Sequence, residues 1–108
     1  MQTPARGDLV MVNFISPSGH ELVGILPGIV LSPKVFNQAT GFAVVCPITR
    51  KEKGYPFEVA LPKNLAIEGI VLTDQVKSLD WQALQFTVKG QAPQEVINDC
   101  LDLIHTFL

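Results

Sequence analysis

Apolar and polar positions come in short bursts along most of the chain, then switch to a helical rhythm at its end. Gly7–Phe14 (GDLVMVNF) alternates or runs apolar and predicts a first strand. Ile15–Gly24, with Ser16, Pro17, Ser18 and Gly19, predicts a loop. The apolar run Gly28–Leu31 is stopped by Ser32-Pro33, and Val35–Thr40 predicts a short connector of one helical turn ending at Gly41. Phe42–Ile48 predicts a third strand. Pro56–Leu61 is a fourth, with Phe57, Val59 and Leu61 on one face. Gly69–Leu72 starts a fifth that runs on toward Trp81, and Phe86–Val88 is a sixth.

From Pro93 onward the period changes. Val96, Ile97, Cys100, Leu101, Ile104, Phe107 and Leu108 share a helical stripe, while Glu95, Asp99 and Asp102 lie mostly off it. Pro93 suits a first helical turn and Glu95 complements the N-terminal dipole. Strands first and one helix last predict a mainly β fold, a small curled barrel or sheet closed by a C-terminal helix. With no linker, repeat or low-complexity segment, residues 1–108 read as a single domain.

Composition narrows the class. The chain is 47% hydrophobic and 17% charged, which suggests that a partner covers some apolar surface. No run approaches the ~20 apolar residues of a membrane span and no signal peptide is visible, so the expectation is cytoplasmic, with no membrane contact. Cys46 and Cys100 read as small core residues in a reducing compartment. With His20 and His105 isolated as well, neither a metal site nor a cofactor is expected. A net charge of −2 argues against a general nucleic-acid coat, and no DNA contact is expected of this chain alone.

The positive charge is nevertheless uneven. Arg50, Lys51 and Lys53 hold three of the eight basic residues within four positions, right after the strand end at Pro47 and the hydroxyl of Thr49. A hydroxyl and cations at the mouth of a strand can hold a phosphate; a solvated loop between strands is the alternative.

Several segments together resemble a known family. They are Arg6-Gly7-Asp8-Leu9, Gly19-His20-Glu21, Pro27 with Val30-Leu31-Ser32-Pro33, Cys46-Pro47-Ile48-Thr49, Lys53–Val59 (KGYPFEV), Asp74–Ser78 (DQVKS) and Trp81. Across residues 6–105 the chain resembles the MazF/PemK toxins of bacterial toxin–antitoxin modules, nearer the MazF branch. The resemblance implies an SH3-like barrel, a homodimer, and metal-independent cutting of single-stranded mRNA at short sequences. Such cutting leaves a 2′,3′-cyclic phosphate and a 5′-hydroxyl, and an antitoxin protein's acidic tail silences it.

The resemblance also implies the site. Thr49 matches the family threonine, and His20, Glu21 and Asp74 are further catalytic candidates. The MazF-branch arginine of a Gly-x-Arg-Pro motif is absent, because Gly24-Ile25-Leu26-Pro27 puts Leu26 in its place. In the PemK branch, His20 and Asp74 match, but Leu72 stands where that branch has its arginine. Trp81-Gln82-Ala83-Leu84 departs from the usual Trp-Arg-Ala-Arg. RNA contacts are expected at Arg50, Lys51, Lys53, Gln75 and Lys77, and antitoxin or dimer contacts at Leu22, Ile25, Trp81 and Leu84. Trp81 has a core reading too, and His105 reads as structural. The apolar replacements, Leu22, Val23, Ile25, Leu26 and Leu84, point to a new packing surface, to redesign, or to a loop recruited into the core. Two functions follow: an endoribonuclease scaffold with strongly impaired catalysis, or a non-catalytic (natural or engineered) dimeric module holding a peptide, RNA or an apolar ligand. In either, part of Leu22–Leu26 or of Trp81–Leu84 is expected to be buried between two chains.

Overall fold

The computed structural model describes residues 2–15 and 22–108. Its strands are β1 (Asp8–Ile15), β2 (Leu22–Val30), β3 (Phe42–Thr49), β4 (Glu58–Ala60), β5 (Ile70–Leu72), β6 (Lys77–Asp80) and β7 (Thr87–Gln91). Its helices are α1 (Lys34–Thr40) and α2 (Gln94–Ile104). The sheet is antiparallel in the order β4-β5-β3-β2-β1-β7, and β6 pairs with the first half of β3. The result is a mainly β fold, a curled sheet with a C-terminal helix.

Strand alternation divides the core in two. Leu9, Ile29, Cys46 and Ile48 face α2 and pack on Val96, Ile97, Cys100 and Ile104. Their neighbours Val10, Val12, Val30, Ala43 and Val45 face the other way, onto Trp81 and Phe86. Each central strand is therefore buried on both faces over part of its length, which is why its sequence runs apolar instead of alternating cleanly.

Four expectations need correction. Leu22–Gly24 is strand, not loop, because β2 pairs with β1 along its length and Leu26 lies opposite Val12. The fifth strand stops at Leu72, where a single 3₁₀ turn at Thr73–Gln75 redirects the chain so that β6 pairs with β3 at Phe42–Val45. The connector is a seven-residue helix closed by Gly41 at φ 77°. The terminal stripe leaves the helix at Ile104, and Leu108 is 82% exposed.

A buried polar knot ties these layers together. Asn37, fully buried on α1, donates from Nδ2 to the carbonyls of Pro4 (2.8 Å) and Ser32 (3.1 Å). Its Oδ1 accepts from the Ser32 hydroxyl, whose oxygen also accepts from the Val44 amide at 2.8 Å. Its main-chain carbonyl accepts from Trp81 Nε1 at 2.8 Å. Replacing Asn37 by Leu would strand the Ser32 hydroxyl and two carbonyls in a dry interior. We expect Asn37→Leu to destabilise the fold by about 1–3 kcal/mol for each group left unpaired. Urea unfolding followed by the fluorescence of the single tryptophan reads this directly; an unchanged midpoint would refute it.

Candidate functional site

The site grows from a fork between β2 and β3. Those strands pair only at Gly28–Pro47, Ile29–Cys46 and Val30–Val45. The next main-chain bond toward β3 falls at Pro27 opposite Ile48, and Pro27 has no N–H to donate, so the ladder has little reason to continue. Beyond it β2 stays with β1, whereas Ile48 and Thr49 turn to pair with Val71 and Ile70 of β5. Extending the register by two steps puts Leu26 across the fork from Thr49. Gly69 fixes the far side: at φ 138°, any Cβ there would collide with the Thr49 carbonyl oxygen.

On one side of the fork lies a groove of about 170 Å³. Val12, Phe14, Leu26, Val45, Pro47 and Leu79 give it apolar walls, while Gln75 and Lys77 bring polar groups to its rim. Leu26 is 51% exposed here, so it is not recruited into the core. A second depression, about 430 Å³, contains Arg50 and Glu68 and shares Pro27 with the first.

Thr49 is half-buried, and its Oγ1 accepts from the Lys51 amide at 3.2 Å. That bond uses a lone pair and leaves the hydroxyl proton free to donate. Arg50, Lys51 and Lys53 are exposed on the following loop. Its far end is held by Glu58, whose carboxylate accepts from the amides of Lys53 (3.1 Å) and Gly54 (3.0 Å). The Lys53 ammonium stands 6.0 Å from the Tyr55 ring centroid. Sequence reasoning passed over Glu58. Its position just past a Gly-containing turn was the available signal.

The remaining candidates separate. Gln75 and Lys77 reach the groove, whereas Asp74 is exposed on the 3₁₀ turn and lies outside both depressions. Ile25 is 52% exposed on β2. Trp81 is a correction to the contact set: it is 4% exposed and its indole N–H is bonded inside the chain, so neither partner nor base can reach it. Leu84 is half-buried against the same core. His20, Glu21 and the side chain of Leu22 lie outside the described residues. Among the described residues no cluster of three His, Cys, Asp or Glu could hold a metal ion, and no helix is long and apolar enough to cross a membrane.

A family model described as PemK-like, MazF-like toxin of type II toxin–antitoxin system matches residues 5–108. The chain belongs to this toxin family. It is 45% identical over 94 residues to the endoribonuclease toxin MazF of Escherichia coli K12, covering 86% of this chain and 84% of that one. The endoribonuclease toxin ChpB of the same organism is 35% identical over 102 residues, covering 89% of this chain and 86% of that protein. A crystal structure of MazE–MazF from Deinococcus radiodurans superposes with a TM-score of 0.87 at 38% identity, covering 98% of this chain and 95% of that one. The scaffold is that of a MazF-type endoribonuclease toxin.

The two cysteines take no part in this surface. Burial pushes the Cys46 thiol from 9.0 up to about 12, with smaller contributions from Cys100 and Asp74. Burial, and then Asp99, does the same to Cys100, also to about 12. Because the thiolate is the nucleophile, both should resist an aromatic disulfide reagent at pH 8 until the protein is unfolded. The sign of the stability effect follows from linkage. Well below pH 9 neither state ionises these thiols and their contribution is intact; between about pH 9 and 12 the unfolded chain sheds the protons while the folded chain keeps them, and stability falls. Urea midpoints between pH 8 and 11 should therefore decline less steeply in Cys46→Ala, and equal slopes would refute the assignment.

Proposed function

We propose that this chain is an endoribonuclease toxin of single-stranded mRNA whose catalysis is strongly impaired, because Leu26 occupies the groove position where the reaction needs a cation. The observation that carries this reading is the half-exposed Leu26 at the fork, with Thr49 on the opposite strand. Attack of a 2′-hydroxyl on the adjacent phosphorus loses a proton, breaks the bond to the 5′-oxygen and gives that oxygen a proton. The products are a 2′,3′-cyclic phosphate and a 5′-hydroxyl, and no metal enters. Thr49 can donate to a non-bridging phosphate oxygen, Lys51, Lys53 and Lys77 can hold neighbouring phosphates, and Arg50 beside them contacts the same RNA. His20 and Glu21 are proposed to manage the protons, with Asp74 and Gln75 orienting the loop between β5 and β6. A leucine can neither donate a hydrogen bond nor stabilise the charge that gathers on phosphorus.

Incubation with mixed-sequence RNA and detection of cyclic-phosphate ends tests the reading. Loss of one electrostatic donor costs on the order of 10²–10³ in rate, so Leu26→Arg should cut faster by about that factor. Equal rates for the two proteins would sink it.

A second reading is supported by the apolar groove lining itself: a non-catalytic module that keeps the groove for an antitoxin-like peptide. Calorimetric titration with an acidic antitoxin tail and with single-stranded RNA separates the two. Heat from the peptide alone, with no cleavage by Leu26→Arg, would favour the module.

The chain is further proposed to act in the cytoplasm as a homodimer with an antitoxin partner. Val35, Phe36 and Phe42 are exposed around α1, and Ile25 on β2; an isologous interface would cover such side chains. Light scattering at micromolar concentration should give twice the 11.8 kDa chain mass, and a clean monomer would refute the dimer.

A further inference from the structure

We propose that the second depression beside the fork is a guanine-reading site, which sets the sequence preference of the RNA proposed above and rests on that reading. Met11 of β1 and Pro27 of β2 form part of its wall, with Leu65 and Ala66 of the loop between β4 and β5. Arg50 and Glu68 bring one charge of each sign to the same depression. Its volume, about 430 Å³, falls in the usual range for a small-molecule site.

The pair of charges selects the base. A guanidinium donates two parallel hydrogen bonds, and guanine offers the adjacent acceptors O6 and N7. A carboxylate only accepts, and the Watson–Crick edge of guanine offers the adjacent donors N1–H and N2–H. Adenine has no adjacent pair of donors for a carboxylate, and the pyrimidines have no N7. Apolar walls suit the faces of an unstacked base, as single-stranded RNA presents it.

Two further observations tie the depression to the site and make it firm. Pro27 lines both this depression and the groove with Leu26, and Arg50 directly follows Thr49. A base held here therefore belongs to a nucleotide next to the phosphate at the fork. The loop that carries Ala66 and Glu68 is packed rigidly. Ile67 is buried in the main core, the Leu61 amide donates to the Gly69 carbonyl at 3.0 Å, and Ala66 sits so close to Gly90 that a Cβ there would lie 2.9 Å from its own. A recognition surface set before binding loses little entropy when the base arrives.

The test is fluorescence anisotropy with labelled single-stranded RNA heptamers, at one fixed salt concentration. In each, one position carries guanine, inosine, adenine, cytosine or uracil. The expected result is a preference of about tenfold or more for guanine at one position, lost when inosine removes the N2 donors. Glu68→Gln should abolish that preference, and any gain in affinity from the lost negative charge should be the same for every heptamer; Glu68 is exposed, so the fold should survive, and tryptophan fluorescence checks it. RNA bound without base preference, or a preference kept by Glu68→Gln, overturns this inference alone. No binding of any heptamer overturns the RNA reading and this inference with it.

Discussion

The ladder between β2 and β3 has to end at Gly28–Pro47, and the rest of the surface depends on that ending. Were the two strands to pair on, Leu26 and Thr49 would be ordinary cross-strand neighbours in a closed sheet. Pro27 works against this by its chemistry, since it faces β3 and has no proton to give where Ile48 would accept. Gly28 lets the strands cross closely where they do pair, because a Cβ there would fall 2.7 Å from Val45 Cγ1. Close contact on one side of that point and divergence on the other is what opens both depressions.

What lines the fork then decides its chemistry. A groove with apolar walls lowers the local dielectric, which strengthens a well-placed charge and penalises a missing one. Such a setting amplifies the difference between an arginine and a leucine at position 26. The same walls that would favour phosphate chemistry with a cation present favour an apolar partner side chain without it. A single side chain can thus shift the scaffold between cutting and holding.

Much of this was legible in the chain, and the failures have physical causes. The first and third strands, the αL glycine after α1 and the amphipathic last helix follow from local pattern, as their agreement with the structure shows. The family, too, was written in residues such as Cys46–Thr49 and Lys53–Val59, and the match over residues 5–108 bears that out. The start of β2 was missed because Gly24 and Pro27 punctuate it like a turn. Ile25 and Leu26 also sit half exposed, so no burial rhythm marks the strand. The turn at Thr73 was missed because its cause is tertiary: Thr73 is buried and both its amide and its hydroxyl donate to the Phe57 carbonyl, 16 residues away. Trp81 was ambiguous for the same reason. Its partner, the carbonyl of Asn37, lies 44 residues distant, and no local pattern reports it. Of the site, the hydroxyl, the cations and the lost arginine could be read from residue type, whereas the fork and the charges facing the second depression needed three dimensions.

Electrostatics sets the terms on which this chain could meet RNA. The net charge of −2 gives no long-range attraction for a polyanion, and beyond the ~10 Å Debye length of 0.1 M salt its field is largely screened. Attraction must come from short range, where Arg50, Lys51 and Lys53 cluster on one loop and Lys77 stands at the groove. Glu58 gives that cluster its shape, because a carboxylate bridging two consecutive amides holds the turn while the cationic side chains stay outside it. With Arg50 engaged on a base, the three lysines can release only about three counterions, so the logarithm of affinity should fall with the logarithm of salt with a slope near −0.7 for each single-stranded contact actually made. A slope that shallow leaves most of the discrimination to base contacts and shape. That is the regime in which one carboxylate and one guanidinium beside an apolar wall can decide which sequence is held.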